Sequence, residues 1–211
     1  MNIAVHRFIP VSITKILVLL LALFMFGCET TSQLPVHSVE YQAHQQQLAQ
    51  LDNYLISGKL GYIDPTQRQS LSFIWKHSPT ESQLQLTTFL GKTVLTLDIT
   101  PQGATLVDMN GKRYFDKDAD LLFYQLTGMR LPIVYMQDWL KGQPTAADKM
   151  QVSDTGTLDS LSQTRGGQTW QLLYKAYTEQ SDYVLPHKMS LQQGHIKLNI
   201  QINKWSVGNA Q

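Results

Sequence analysis

Residues 54–62 read Tyr-Leu-Ile-Ser-Gly-Lys-Leu-Gly-Tyr, and residues 71–75 read Leu-Ser-Phe-Ile-Trp, with Asp64-Pro65 between them. In both stretches large apolar side chains alternate with smaller or more polar ones, which is the period of a strand with one buried face. Asp-Pro is a turn signal, so the two stretches predict neighbouring antiparallel strands. The same alternating pattern recurs along most of the chain, so it predicts a mainly β fold.

Further alternating stretches lie on both sides of turn residues, among them the strong hairpin signal Asn110-Gly111. They are found at residues 84–88, 95–99, 104–108, 151–153, 158–163, 170–174, 188–192 and 196–202. The whole set predicts about eleven short antiparallel strands. A sheet this wide tends to curl, so we expect an incomplete, open β-barrel.

Three segments have helical spacing instead. Residues 39–53 are rich in Gln, with apolar positions three and four apart, and Ser38 is the expected N-cap. A second helix is expected to begin after Asp118, as its N-cap, and to end at Gly128. A third helix is expected to begin at Pro132. The second and third helices interrupt the run of strands, so we expect them to form a lid over the open side of the barrel.

The N-terminus has the pattern of a secretory signal. An eleven-residue apolar run, residues 16–26, follows Arg7 and Lys15 and ends at Gly27-Cys28. Cys28 is the only cysteine, and its position resembles the lipobox of bacterial lipoproteins, although Phe26 is bulkier than the usual Ala, Ser or Gly. We expect residues 1–27 to be a signal peptide, 28–40 an acylated N-terminus and tether, 41–207 the folded domain and 208–211 a polar tail.

Composition argues against several classes of function. The chain has 17 basic and 16 acidic residues, which argues against a nucleic-acid-binding surface. One cysteine excludes a disulfide framework, and no motif of a hydrolase, metalloprotease or nucleotide-binding protein occurs. The histidines after residue 28 are scattered, and we expect each of them to be a solvated side chain. The sequence therefore predicts no catalytic site, no metal and no cofactor.

Apolar residues occupy one face of nearly every predicted strand and helix. A packed core is the simplest explanation for any one of them, but a barrel of this size also has room for apolar ligands. We therefore expect a cavity for acyl chains. The candidate lining residues are Leu60, Phe73, Trp75, Leu86, Leu97, Leu122, Trp139, Trp170, Leu198 and Ile200.

A second feature is the apolar pair Phe89 and Leu90, directly before Gly91 in a predicted hairpin tip. Tips are normally polar, so two interpretations remain open. The pair either folds back onto the rim of the barrel or forms a wedge that contacts a bilayer or a partner. Inserting one Leu into an apolar medium is favourable by about 1.5–3 kcal/mol.

The chain resembles the LolB family of outer-membrane lipoproteins from about residue 41 to residue 205. The segment Leu126-Thr-Gly-Met-Arg-Leu-Pro132, followed by Trp139-Leu-Lys-Gly142, carries the resemblance best. Segments 110–114, 170–174 and 200–205 support it, in the family's order and behind a lipobox. Tyr41 stands where relatives often have Trp.

This resemblance implies a function in lipoprotein sorting. A monomeric receptor would take acylated lipoproteins from the periplasmic carrier LolA and insert them into the inner leaflet of the outer membrane. Leu90 matches the family's membrane-delivery position, and Cys28 its lipid attachment site on the periplasmic face. Two other functions stay open: a scaffold lipoprotein without a cavity, and a lipid-hydrolysing enzyme.

Overall fold

The alternating stretches form strands of one antiparallel sheet in the computed structural model, which describes residues 37–208. The first six strands are β1 (Tyr54–Ile63), β2 (Arg68–His77), β3 (Ser82–Thr87), β4 (Thr93–Thr100), β5 (Gly103–Asp108) and β6 (Arg113–Asp116). The other five are β7 (Lys149–Val152), β8 (Leu158–Arg165), β9 (Gln168–Gln180), β10 (Tyr183–Gln193) and β11 (Ile196–Val207). The helices are α1 (Tyr41–Ala49), α2 (Ala119–Thr127) and α3 (Ile133–Trp139).

The sheet consists of two meanders joined at the centre. Strands follow the order β6-β5-β4-β3-β2-β1-β11-β10-β9-β8-β7, so the pair β1 and β11 links the first and last strands. Strands β6 and β7 are the two edges and do not pair with each other in the described part of the chain. The prediction of an incomplete antiparallel barrel of eleven strands is confirmed.

Register and alternation together place the apolar side chains on one face. Leu60 lies between Leu71 of β2 and Ile200 of β11, and all three are buried. The outward neighbour Lys59 pairs with Ser72 and with a polar residue of β11. Because a strand has a period of two, this register sends most large apolar residues of the central strands to the inner face, with Ile74 of β2 as an outward-facing exception.

The helices begin and end close to the expected residues, with one correction. Helix α1 is capped by Glu40 and not by Ser38, since the Glu40 carboxylate accepts from the backbone N–H groups of Gln42 and Ala43. A carboxylate with two such donors satisfies the first turn better than a hydroxyl. Asp118 caps α2, as expected, and Gly128 ends that helix with a φ of 70°. No helix of residues 37–208 is long and apolar enough to cross a membrane.

Gly156 in the turn between β7 and β8 allows the chain before α1 to pack against this turn. It has a φ of 79°, and a Cβ built there would lie 1.7 Å from the Val39 carbonyl oxygen. We expect Gly156→Ala to lower the free energy of unfolding by about 2–4 kcal/mol, because left-handed backbone strain adds to a steric clash. Denaturant unfolding of the two proteins measures this difference.

The control for this prediction is Gly167→Ala in the turn between β8 and β9. Gly167 has a similar φ of 76°, but a Cβ added there would meet nothing within 4 Å. This variant is expected to lose only the backbone contribution, about 1 kcal/mol. Equal losses in both variants would contradict the role given to the contact with Val39.

Candidate functional site

The ten residues expected to line an apolar cavity all lie in one buried cluster. Each is less than 9% exposed, and together they come from both meanders and from the two helices that follow β6. They are Leu60, Phe73, Trp75, Leu86, Leu97, Leu122, Trp139, Trp170, Leu198 and Ile200. The tertiary structure thus gathers these side chains into one continuous apolar interior.

Helices α2 and α3 lie over this interior as a lid. Met136 of α3 and Leu140 directly after it face Leu60, Phe73 and Trp75 of the sheet across a small apolar cavity. The cavity has a volume of about 20 Å³, which is room for roughly one water molecule. Pockets that bury a small ligand usually measure about 300–1,000 Å³. The interior is therefore nearly filled by the lid in this state.

The C-terminal end of α3 is fastened to the sheet by buried polar groups. The hydroxyl of Tyr54 donates to the carbonyl of Gln137 at 2.6 Å, and that of Tyr174 donates to the carbonyl of Trp139 at 2.8 Å. Burial raises the pKa of both phenols well above its usual value, so they stay neutral donors. These two bonds satisfy lid carbonyls that would otherwise be costly to bury.

Lys141 adds a third fastening at the same end of the lid. It is only 4% exposed, and its ammonium group donates to the carbonyl of Leu51 at 3.2 Å. The carboxylate of Asp138 lies 3.4 Å from the same ammonium group and partly balances its charge. A buried cation with both partners is costly to detach, so this end of α3 is the fixed end of the lid.

The other end of the lid, between α2 and α3, has a weaker attachment. The backbone N–H of Arg130 donates to the hydroxyl of Tyr62 at 3.4 Å, near the limit for a hydrogen bond. Burial and then a hydrogen bond with Asp64 raise the pKa of Tyr62 to about 12. Fewer polar contacts hold the lid here than at its far end, although Met129 and Leu131 beside Arg130 are buried in the apolar cluster. An outward movement is therefore expected to begin at Arg130 and to withdraw these two side chains.

A groove of about 230 Å³ opens beside this loosely held part of the lid. Leu131, Pro132 and Tyr135 of the lid form one wall, and Trp170 with its neighbours on β8 and β9 forms the other. The groove borders the apolar interior through Trp170, which is a member of both. It is the expected entrance for an apolar chain.

Charged side chains stand at the mouth of the groove. The guanidinium of Arg130 lies 4.1 Å from the ring centroid of Tyr124, and that of Arg165 lies 5.9 Å from the ring of Tyr135. Asp120 accepts from the backbone N–H of Val134, while burial raises the pKa of its carboxyl group. The mouth is polar, the wall formed by the lid is largely apolar, and the wall formed by the sheet carries Gln163 and Gln168 beside Trp170.

The hairpin between β3 and β4 presents Phe89 and Leu90 to solvent. These side chains are 86% and 79% exposed, so the interpretation that they fold back onto the rim is wrong. The turn is well formed, because the N–H of Thr88 donates to the carbonyl of Lys92 at 2.9 Å and that of Gly91 donates to the carbonyl of Thr88. A defined turn therefore displays two large apolar side chains without a partner in the described structure.

The expectation that every histidine is solvated is wrong for His44, which is 3% exposed. It lies on the apolar stripe of α1, facing β10, where Nε2 bonds to the carbonyl of Val184 at 2.8 Å. Burial lowers the pKa of His44, and burial together with the charge of Lys141 lowers that of His77. No cluster of metal-ligating side chains occurs in residues 37–208.

Some residues that shape the site carried no signal in the sequence. Tyr54 and Tyr174 look like ordinary strand residues, and a lysine such as Lys141 is normally exposed. Met136 and Leu140 were recognisable as one apolar side of a helix, although nothing local showed which part of the sheet they contact. Cys28, the expected attachment site, lies outside the described residues.

Comparison of the sequence with known proteins identifies relatives over most of its length. A family model described as outer membrane lipoprotein LolB matches residues 52–205. An outer-membrane lipoprotein LolB from Vibrio campbellii is 43% identical over 196 residues, which cover 91% of this chain and 96% of the relative.

Solved structures with the same fold have very different sequences. A putative outer membrane lipoprotein-sorting protein domain from Vibrio parahaemolyticus superposes with a TM-score of 0.55 at 8% identity, over 82% of this chain and 93% of that one. A LolA superfamily protein from Nitrosomonas europaea gives a TM-score of 0.51 at 6% identity, over 82% and 96% of the two chains. At such identities the likeness concerns the fold alone.

Proposed function

Because the chain belongs to the LolB family of outer-membrane lipoproteins, we propose that it is the receptor that takes acylated lipoproteins from the periplasmic carrier LolA. The cargo then enters the inner leaflet of the outer membrane, where this protein is itself anchored. The observation that carries the proposal is the continuous apolar interior under a lid whose strong polar contacts with the sheet are concentrated at one end. A sorting receptor needs such an interior, since acyl chains must stay out of water between carrier and membrane.

Receipt of cargo requires movement of the lid. The present cavity of about 20 Å³ is far too small for an acyl chain, while the groove of about 230 Å³ beside the lid exposes the apolar side chains of Leu131 and Tyr135 among polar ones. Outward movement of the lid from Arg130 to Met136, about the end held at Lys141, would enlarge the cavity towards the groove. Each methylene of the cargo's acyl chain that is buried in the interior contributes about 0.8 kcal/mol to the free energy of binding. This gain offsets the loss of contacts between the lid and the sheet. Cargo would thus replace the lid as the filling of the interior.

Delivery would use the exposed hairpin tip. Phe89 and Leu90 reach beyond the sheet on a well-formed turn, and an apolar pair in that position favours contact with acyl chains of a bilayer. The sequence has no nucleotide-binding motif, so each transfer is expected to proceed towards tighter binding without ATP.

The test is transfer in a purified system. Vesicles carrying the full-length acylated protein are mixed with LolA loaded with a radiolabelled triacylated lipoprotein, in the absence of ATP. The label is expected to move from the soluble fraction to the vesicles, and to stay with LolA when the vesicles lack the protein. No transfer, together with no binding of acyl chains, would favour a scaffold lipoprotein. Turnover of a lipid that depends on one His or Asp would favour an enzyme.

Cys28 is proposed as the lipid attachment site, because it directly follows the apolar run of the leader. Cells grown with labelled palmitate are expected to label the wild-type protein and to leave Cys28→Ala unlabelled. The variant is also expected to leave the membrane fraction, since two or more acyl chains are needed for firm anchoring. Thr31→Ala, in the same segment, is the control and should keep the label. Palmitate on the Cys28→Ala protein would contradict the assignment.

A further inference from the structure

The topology brings five turns to one end of the sheet. Ile63 at the end of β1 pairs with Arg68 of β2 and Lys197 of β11, so the turns next to these residues lie side by side. The registers of the outer strands place three more turns at this end of the sheet. They are the hairpin tip with Leu90, the turn between β5 and β6, and the turn between β8 and β9. We call this end of the sheet the tip end.

Exposed basic side chains share the tip end with the apolar pair. All four arginines of the described chain are here, together with three lysines. This set, the basic rim, consists of Arg68, Lys92, Lys112, Arg113, Arg130, Arg165 and Lys197. Every member is exposed, and each lies in or next to a turn or the lid loop of the tip end.

The acidic residues at this end are occupied by local hydrogen bonds. Asp64 accepts from the N–H groups of Thr66 and Gln67, and Asp108 accepts from those of Asn110 and Lys112. Asp120 interacts with the charge of Arg165, and Asp148 accepts from the backbone N–H of Thr164.

Most other acidic residues lie towards the opposite end of the sheet, in its turns and before α1 and β1. They include Glu40, Asp52, Glu81, Asp116, Asp154, Glu179 and Asp182. The chain is nearly neutral as a whole, yet its charges are separated along the strand direction. Such a separation orients a protein in the field of a charged surface.

We propose that the basic rim docks the tip end on the anionic phospholipid head groups of the target membrane. An arginine guanidinium group can donate two hydrogen bonds to the oxygens of one phosphate. Binding of the basic rim to head-group phosphates would hold Phe89 and Leu90 against the bilayer surface. The combination of an exposed apolar pair with several exposed cations at the same end of the sheet fits a lipid surface, where an apolar layer lies below charged head groups. The inference deepens the proposed function by naming the lipid class on which delivery depends.

The charge contribution is large enough to measure. Each Lys or Arg close to an anionic membrane strengthens binding about fivefold. Reversal of the two charges beside Ile63, in Arg68→Glu/Lys197→Glu, is therefore expected to weaken docking about 25-fold or more. The matched control is Lys76→Glu/Lys204→Glu, on the same two strands and with the same change in charge. These lysines pair with Leu55 and Ser57, about 20 Å or more from the tip end along β1.

Docking is measured on the full-length acylated protein, anchored in vesicles that contain a nitroxide-labelled lipid. A fluorophore on Asn110→Cys, in the turn between β5 and β6, reports approach of the tip end to the bilayer. Quenching is expected in phosphatidylcholine vesicles that contain about one third phosphatidylglycerol, and not in pure phosphatidylcholine. It should disappear at about 1 M salt, where the Debye length falls to about 3 Å.

Two results would overturn the inference: equal quenching in neutral and anionic vesicles, or equal losses in the rim and control variants. Cargo transfer from LolA is measured on the same vesicles to separate the two proposals. If transfer fails while charge-dependent quenching persists, the proposed function falls and the docking surface remains. If transfer proceeds equally well into neutral vesicles without quenching, only the docking surface is lost.

Discussion

Leu90→Glu is expected to accept cargo from LolA as the wild-type protein does, and to fail in its delivery to vesicles. Leu90 is 79% exposed and contributes nothing to the buried cluster, so the fold and the apolar interior should be unaffected. Insertion of a Leu side chain contributes about 1.5–3 kcal/mol, equivalent to roughly 10- to 150-fold in equilibrium. A carboxylate adds a desolvation penalty, so delivery is expected to fall at least tenfold.

The measurement is a two-stage transfer with radiolabelled cargo, in which receipt and delivery are scored separately. Ile74→Glu is the matched control, because Ile74 is also an exposed apolar residue, at 44%, but lies on the outer face of β2 away from the tip. This variant should deliver cargo normally. Normal delivery by Leu90→Glu, or an equal defect in both variants, would refute the role of the hairpin tip.

Fixing the lid to the sheet is expected to reduce receipt of cargo by a factor of about fifty. The hydroxyl of Tyr135 on α3 lies 3.4 Å from a guanidinium nitrogen of Arg165 on β8, across the mouth of the groove. A bifunctional maleimide joining Tyr135→Cys and Arg165→Cys would hold these two walls together. If three methylenes of the cargo's acyl chain then stay unburied, at about 0.8 kcal/mol each, the affinity of the protein for the cargo falls roughly fiftyfold.

The same double variant before cross-linking is the first control and should receive cargo. The second is Thr164→Cys with Thr169→Cys, a cross-strand pair on β8 and β9 whose hydroxyl oxygens lie 3.0 Å apart. A link within the sheet leaves the lid free, so receipt should be unchanged. Undiminished receipt by the Tyr135–Arg165 cross-linked protein would mean that acyl chains enter elsewhere.

Much of this architecture follows from local patterns. The alternation around Leu60 and Trp75 predicted strands whose apolar residues share one face, and the register confirms it. Asp118 and Gly128 marked the ends of α2 because capping depends on the nearest few residues. The membership of the LolB family was also recognisable from short motifs in their order, and the family model confirms it.

Other features depend on contacts between distant segments. The spacing in α1 placed His44 on an apolar stripe, but only the packing against β10 shows that this imidazole is buried and bonded to Val184. Lys141 is buried with its ammonium group bonded to the carbonyl of Leu51. This partner lies 90 residues earlier in the chain, so the local sequence around Lys141 does not reveal it. The choice of Glu40 as the cap of α1 likewise became clear only from its hydrogen bonds.

Local patterns in the sequence are enough to predict the strands, the lid helices, the apolar pair at the hairpin tip and the family. Each of these depends on neighbours within a few residues, where period and turn chemistry leave few choices. The three-dimensional packing shows in addition that the interior is almost filled, that Tyr54, Tyr174 and Lys141 hold one end of the lid, and that four arginines lie at the same end of the sheet as Leu90. These properties depend on which distant strands pair and in which register, and a one-residue shift in pairing would turn the same side chains to the opposite face.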